Sequence, residues 1–326
     1  MNGLMRFVVV ALATLAWLPV ALAQEYPARP ITLVLPLGAG GAMDIIARAQ
    51  FEPQLRERLG KPIIVENRTG GGTVIAATSV AKSPPDGYTL FFVPAGTLTT
   101  NATLYKKLPY DPAKDFAPIA LTSKIGFVLS VHPSLPVHSV ADLIAYAKER
   151  PGKLAFGSTG IGATPHLAVE MLKRAGGFEM THVPYRGMPQ AVSDLVAGHV
   201  QMVFADPAGA PALIREGKLR PLAVSSLTRI AAVPDVPTLD ELGFRGFEAV
   251  SWHMIVAPTG TPKTIVERLH GEFKAIVARP EFEQQVVKMG LISLDSPPPD
   301  ELQRFLTAEI ARWGKLVQEV GIAGTE

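Results

Sequence analysis

Hydrophobic positions along the chain fall into short runs that are separated by glycine-rich and proline-rich turns. The run Ile31–Leu35 has the length and the branched apolar residues of a buried strand, and a glycine-rich loop follows it at 38–43. Apolar residues then recur at helical spacing until Gly60, where a helix is expected to end. The residues expected to face the core from this helix are Ile45, Ile46, Phe51, Leu55 and Leu59.

The order of strand, glycine-rich turn and helix recurs further along the chain. A strand at 63–65, glycines at 70–72 and a helix at 74–80 repeat it. The same order appears again in a strand at 154–156, glycines at 157–162 and a helix that is expected to begin with Thr164 as its cap and Pro165 as its first residue. This repetition predicts an α/β fold with largely parallel strands. Further strands are predicted at 88–93, 181–185, 200–204, 219–225 and 252–257, and further helices at 139–150, 189–197, 211–216 and 301–320.

The first residues have the pattern of an export signal. One positive charge precedes an uninterrupted apolar run at 7–20, and Ala21 and Ala23 supply the small residues that a signal peptidase reads. The run of 14 residues is shorter than the roughly 20 that span a bilayer. We therefore expect cleavage after Ala23, a mature chain that begins at Gln24 and, in a bacterial cell, a periplasmic protein.

Composition excludes several classes of function. The 31 basic and 29 acidic residues give a formal net charge of +2, which provides no basic field for holding nucleic acid. The chain has no cysteine, so disulfides, thiolate metal sites and cysteine nucleophiles are absent. Hydrophobic residues make up 48% of the 326 positions, which is enough for a large core, and this length favours two domains.

Motifs of common enzymes are missing from the glycine-rich loops. The loops at 38–43 and 160–165 both lack the third glycine of the dinucleotide fingerprint, and neither contains the Gly-Lys-Ser/Thr of a phosphate-binding loop. The histidines do not form the paired spacing of a zinc protease, and 157–160 lacks the spacing of a serine nucleophile. The sequence therefore predicts no cofactor, no metal ion and no catalytic residue.

Anion binding remains as the chemistry that these loops suit. Each loop follows a strand and precedes a helix, where backbone N–H groups without intrahelical partners and the helix dipole attract negative charge. Two such loops would suit a ligand with two negative ends if the two halves of the molecule face each other. Either loop alone is better explained as a tight turn, and it is the pair together that favours anion binding.

Several motifs occur in the order typical of one family. In sequence these are LPLGAGGAMD at 35–44, NRTGGG at 67–72, DGYTL at 86–90, GSTGIG at 157–162 with His166-Leu167, VPYRG at 183–187, VPT at 236–238, and AP at 257–258 with Thr261-Pro262. Together they cover essentially all of the mature chain. The sequence resembles the Bug family, the extracytoplasmic substrate-binding proteins of tripartite tricarboxylate transporters.

The resemblance implies a type II periplasmic-binding-protein fold, in which two α/β domains enclose a small organic carboxylate. Domain 1 would combine 24–125 with 249–326, and domain 2 would be 126–248. Expected partners are the carboxylate and the integral membrane subunits of the transporter, and the chain is expected to be monomeric. Partnership with a membrane sensor remains an alternative, because it needs the same clamp, and a periplasmic α/β enzyme is the least favoured one.

By the same resemblance, two loops and a few neighbouring side chains should contact the ligand. The expected ligand-binding residues are Leu37, Gly38, Ala39, Gly40, Gly41, Met43 and Asp44 in the first loop, Ser158, Thr159, Gly160, Ala163 and Thr164 in the second, and Tyr185, Arg186, Gly187 and Asp206. The family usually has an aromatic residue in place of Leu37 and a hydroxyl residue in place of Ala163. These two departures put the choice of ligand in doubt.

Structural roles compete with ligand roles at individual residues. An acid in the first turn of a helix, such as Asp44, is often a cap, and Asp206 precedes a proline that favours a turn. Arg186 suits either a bidentate carboxylate contact or a solvated surface. His166 and Trp252 lie in apolar segments and are expected to be structural.

Overall fold

The structure is a computed structural model that describes residues 26–185 and 187–326. The predicted export signal, its cleavage after Ala23 and the predicted ligand residue Arg186 lie outside the described residues. In chain order the strands are β1 (Ile31–Leu35), β2 (Ile63–Asn67), β3 (Thr89–Pro94), β4 (Phe116–Gly126), β5 (Val128–Val131), β6 (Ala155–Ser158), β7 (Thr181–Pro184), β8 (Met202–Ala205), β9 (Arg220–Val224), β10 (Val250–Pro258) and β11 (Ile292–Ser293).

Helices separate most of the strands. They are α1 (Ala42–Ile46), which continues through a π-helical stretch (Ala47–Phe51) into α2 (Glu52–Leu59), then α3 (Val74–Ala81), α4 (Ala95–Leu98), α5 (Asn101–Leu104), α6 (Val140–Lys148), α7 (Thr164–Gly176), α8 (Met188–Val196), α9 (Ala210–Arg215), α10 (Lys263–Val277), α11 (Pro280–Lys288) and α12 (Pro299–Glu319). Within the described ranges, none of these helices is both long and apolar enough to cross a membrane.

Two separate sheets confirm the predicted α/β class. The first sheet has the strand order β11-β4-β10-β3-β1-β2, and the second has the order β7-β6-β8-β5-β9. The prediction of largely parallel strands was wrong. β1 pairs in parallel with β2 and β3, and β6 pairs in parallel with β7 and β8, but β4, β5, β10 and β11 all pair antiparallel. The antiparallel strands β4 and β5 are consecutive in the chain but belong to different sheets, an arrangement that residue spacing in the sequence does not reveal.

Each sheet is buried on both faces, as expected when helices cover it. Alternate residues of β1 enter different cores, so that Leu33 and Leu35 pack with Phe51 on one face while Val34 packs with Phe91 on the other. A third core surrounds the second sheet and is formed mainly by residues between Phe127 and Ala249. The strands of the first sheet, in contrast, come from both ends of the chain.

The last helix connects the cores. Leu302 and Leu306 in α12 pack against the first sheet, whereas Trp313, about two turns further along the helix, belongs to the core of the second. The buried carboxylate of Glu309 accepts hydrogen bonds from the indole Nε1 of both Trp252 (2.9 Å) and Trp313 (3.0 Å). The expectation that Trp252 is structural is therefore confirmed.

Two local predictions need correction. Ile45 was predicted to face the core, but its side chain is 38% exposed, because α1 turns only Met43, Asp44 and Ile46 inward. Thr164 was predicted to cap α7 and instead is its first residue, while Ala163 occupies the capping position in an extended conformation. This places the Thr164 hydroxyl outside the capping position.

Candidate functional site

A cavity of about 580 Å³ is lined by residues from both halves of the fold. This volume lies within the range of small-molecule sites. The half that contains the first sheet contributes Leu37, Thr73, Thr97, Thr100, Asn101, Ser251 and His253. The half that contains the second sheet contributes residues 159–165 together with Met188 and Asp206. A ligand in this cavity would therefore contact both halves.

The loop between β6 and α7 forms the second-sheet wall of the cavity. The buried Ser158 hydroxyl accepts a hydrogen bond from the Gly160 N–H (3.1 Å), and the Gly162 N–H donates to His166 Nδ1 (3.0 Å). Gly160 has a φ of +127° and Gly162 a φ of +71°, conformations that favour glycine. Within the described ranges, the amides of Ile161 and Thr164 donate no hydrogen bond. These two N–H groups remain available at the N-terminus of α7.

Stacked imidazoles support this loop from behind. The rings of His166 and His182 are stacked with centroids 3.9 Å apart, and His182 also stacks on Phe156. His182 Nε2 lies 2.7 Å from the Ser158 hydroxyl. Burial, and then the charges of His182 and Lys173, lower the pKa of His166 to about 3, and burial lowers the pKa of His182 to about 4. Both rings are neutral at physiological pH, and the structural role expected for His166 is confirmed.

The loop between β1 and α1 contributes less to the cavity. Only Leu37 of its predicted ligand residues lines the cavity, with 43% of its side chain exposed. Asp44 is buried and accepts hydrogen bonds from the Gly40 N–H (2.9 Å) and from Arg48 Nε (2.9 Å). Burial by itself would raise the pKa of Asp44, but the hydrogen bonds outweigh burial and the pKa is lowered. Met43 is 3% exposed and packs in the core. Asp44 thus holds the loop together.

Polar residues after β3 form a wall of the cavity that the sequence analysis missed. Thr97 and Thr73 share a hydrogen bond between their hydroxyls (2.7 Å), and Asn101 Nδ2 donates to the Gly72 carbonyl (3.3 Å). Thr97 and Asn101 are buried although both are polar. The available signal was a cluster of four Thr and Asn residues, at 97 and 99–101, directly after a buried strand.

Asp206 brings a carboxylate to the cavity. It follows β8 directly and lies in the cavity wall. Burial raises the pKa of Asp206 to about 6, with no neighbouring group opposing the shift. The other titratable residues in the described wall are Tyr105, Glu326 and His253. His253 is buried, bonds through Nδ1 to the Ser123 hydroxyl (3.0 Å) and has a pKa lowered to about 4 by burial. The described walls contain no lysine or arginine.

The structure places the predicted ligand residues in two groups. Those that line the cavity are Leu37, Thr159, Gly160, Ala163, Thr164 and Asp206. Those that do not line it are Gly38, Ala39, Gly40, Gly41, Met43, Asp44, Ser158, Tyr185 and Gly187. Tyr185 directs its hydroxyl to Asp194 (2.7 Å), and Gly187 caps α8. Their contacts with a ligand stay predictions.

Comparison with known proteins shows a family for this chain. The profile of the family described as "Tripartite tricarboxylate transporter family receptor" matches residues 46–322. Among curated proteins, BugT of Bordetella pertussis is 34% identical over 325 residues, which are 98% of this chain and 98% of BugT. The match therefore extends over both halves of the fold.

Solved structures agree with this assignment. The structure described as "R. palustris Rpa4515 with adipate" is 38% identical, with a TM-score of 0.80, and the match covers 92% of this chain and 99% of that one. MatC (Rpa3494) from Rhodopseudomonas palustris with bound malate is 31% identical, with a TM-score of 0.75 and coverage of 90% and 100%. The fold, the two-sided cavity and these matches lead to one conclusion: the chain belongs to the tripartite tricarboxylate transporter receptor family, the Bug-type substrate-binding proteins.

Proposed function

We propose that this protein is exported to the periplasm, loses its signal after Ala23, captures a small organic carboxylate and delivers it to a tripartite tricarboxylate-type membrane transporter. It acts as a monomer that binds reversibly without turnover. The observation that carries this proposal is the cavity, because residues from both halves of the fold line it. Relatives of similar fold have adipate and malate bound, which supports a carboxylate as the ligand.

Backbone amides are the groups that we propose to hold the ligand's carboxylate. The Ile161 N–H lies just before α7 and the Thr164 N–H belongs to its first residue, at the N-terminus of a helix of 13 residues where the dipole favours negative charge. Hydrogen bonds to a charged group contribute about 1.5 to 3 kcal/mol each. A few such bonds can therefore support micromolar affinity, which corresponds to roughly 8 kcal/mol, after the ordering costs of binding.

The two halves are proposed to be domains that close on the ligand. Membership of the sheets supports the boundaries 24–125 with 249–326 and 126–248, because every strand from β5 to β9 belongs to the second sheet. The proposed ligand contacts are the lining residues from the predicted set, together with Tyr185, Gly187 and, from the sequence alone, Arg186. The first loop would join them when the domains close.

A thermal-shift screen with mono-, di- and tricarboxylates at pH 7.5 tests this function. A ligand that binds only the folded state stabilises it by about 2.7 kcal/mol at one hundred times its Kd, so the preferred acid should raise the melting temperature clearly. Incubation with that acid should leave it chemically unchanged. If no carboxylate raises the melting temperature, the proposed function is wrong.

A matched pair of glycine variants tests the role of the loop amides. Gly160 (φ +127°) and Gly243 (φ +98°) both have a φ above the left-handed helical region, and neither has a neighbour within 4 Å of an added Cβ, but only Gly160 lines the cavity. Gly160→Ala and Gly243→Ala should therefore both strain the backbone. We expect calorimetry to show loss of binding for Gly160→Ala and retained binding for Gly243→Ala. Equal affinity in both variants would contradict a role for this loop.

A further inference from the structure

Asp206 is a carboxylate without a partner in the part of the chain that the structure describes. Its backbone carbonyl accepts hydrogen bonds from the Gly209 and Ala210 amides, but its carboxylate accepts none from a described residue. The side chain lines the cavity. Asp206 is half-buried. A partly desolvated charge without a partner costs stability, and such costs are typically tolerated where function requires them.

The position of Asp206 is set by strand pairing. β6 and β8 are parallel neighbours, with Phe156 paired to Met202 and Gly157 to Val203. If the same register continues past the ends of the two strands, Asp206 lies opposite Gly160. Paired strands lie about 4.8 Å apart, so Asp206, the residue after β8, is adjacent to the loop between β6 and α7. Both features lie at the carboxyl ends of parallel strands, where open α/β folds bind ligands.

The charge of Asp206 limits what the ligand can present to it. With a pKa of about 6, the carboxyl group is mostly ionised at pH 7.5 and can only accept hydrogen bonds. A ligand oxygen without a proton would be repelled there, and the described cavity walls provide no lysine or arginine to neutralise it. A hydroxyl or ammonium group would be attracted, because hydrogen bonds to a charged acceptor are the strong ones.

We propose that Asp206 accepts a hydrogen bond from a hydroxyl or ammonium group on the carbon next to the ligand's carboxylate. The protein would then select 2-hydroxy and 2-amino acids over the corresponding unsubstituted acids. The inference rests on the proposed function, because it takes the neighbouring loop amides to hold that carboxylate. The small distance between the loop and Asp206 is what places the donor at position 2 and not at the far end of the ligand.

Calorimetry at pH 7.5 with three matched sets of diacids tests the proposal. The sets have four, five and six carbons, and each contains the unsubstituted acid, its 2-hydroxy derivative and its 2-amino derivative, for example succinate, malate and aspartate. At the preferred length, a substituted acid should bind the native protein about tenfold or more tighter than the unsubstituted one. In Asp206→Asn and Asp206→Ala this ratio should fall to about threefold or less.

The control is Asp235→Asn, which makes the same chemical change at an exposed residue outside the cavity wall. It should keep the native ratio. The inference is overturned if the unsubstituted acid binds the native protein as tightly at every length, or if both Asp206 variants keep the native preference. Binding by unsubstituted acids alone would leave the proposed function standing while refuting this inference. Failure of all nine acids to bind would overturn the inference, and the thermal-shift screen with mono-, di- and tricarboxylates then decides the proposed function.

Discussion

Replacement of Asp206 by asparagine should stabilise the protein in the absence of ligand. Burial raises the pKa of Asp206 from 3.8 to about 6, which means that the folded state disfavours its ionised form. Because the pKa is raised on folding, the folded state holds this proton more tightly than the unfolded state. The free-energy penalty for ionising Asp206 in the folded state is therefore absent below about pH 3.8 and is fully present above about pH 6.

The size of the effect follows from the pKa. The rise in the pKa of Asp206 from 3.8 to about 6 corresponds to at most ~3 kcal/mol of folding free energy, because each pKa unit is worth ~1.36 kcal/mol. Partial exposure to water screens the charge, and the amide that replaces it also needs partners, so we expect a net gain of about 1 to 2 kcal/mol at pH 8. For a chain of this size that gain corresponds to roughly 2 to 6 °C in the melting temperature.

Circular dichroism during heating of both proteins without ligand, at pH 8 and at pH 4, measures this gain. Asp206→Asn should melt higher than the native protein at pH 8, and the difference should largely disappear at pH 4. Asp235→Asn provides the control and should melt as the native protein does at both values. An equal gain at both pH values, or a loss at pH 8, would refute the reasoning that Asp206 is a partly desolvated charge without a partner among the described residues.

Three further predictions follow from individual contacts. Gly162→Val should lower the melting temperature and weaken ligand binding, because an added Cβ would lie 2.6 Å from a Leu104 methyl group and φ is +71°. In the native protein the pKa of His182 is lower in the folded state than in the unfolded state, so acidification protonates the unfolded state first and lowers the free energy of unfolding by up to ~1.4 kcal/mol per pH unit. His182→Gln should therefore reduce the loss of stability between pH 6.5 and 5 in urea titrations. Glu309→Leu should destabilise by about 2 to 4 kcal/mol in the same titrations, since two indole donors lose their acceptor, and Glu309→Gln by less. A pH dependence of stability that His182→Gln leaves unchanged would count against the explanation given for His182. Equal losses of unfolding free energy in both Glu309 variants would count against the explanation given for Glu309.

Local signals in the sequence were sufficient for the parallel units of the fold. β1, its glycine-rich loop and the helix that ends at Gly60 were predicted because apolar runs and glycines mark them directly. β4 was not predicted, since Pro118 and the polar residues at 122–124 interrupt any alternation along it. Its place in the sheet is determined by antiparallel pairing with β10, more than 120 residues away. Such pairing is a tertiary property without a local pattern.

The candidate site was predictable to a similar extent. The loop after β6 was found because glycines follow a strand and precede a helix. The wall around Thr97 and Asn101 was missed, because polar residues after a strand look like an ordinary turn and their burial depends on partners such as Thr73 and Tyr110. The alignment of Asp206 with Gly160 depends on which strands are neighbours, and the sequence does not specify this.

Hydrogen exchange with and without ligand tests the central claim most directly, which is that one carboxylate contacts both halves of the fold in this cavity. The acid with the largest thermal shift would be added to saturation, and exchange followed by mass spectrometry of peptides covering 94–105 and 159–165. The account predicts slower exchange in both segments, because each lines the cavity. Protection confined to one segment, or absent from both while calorimetry shows binding, would contradict it.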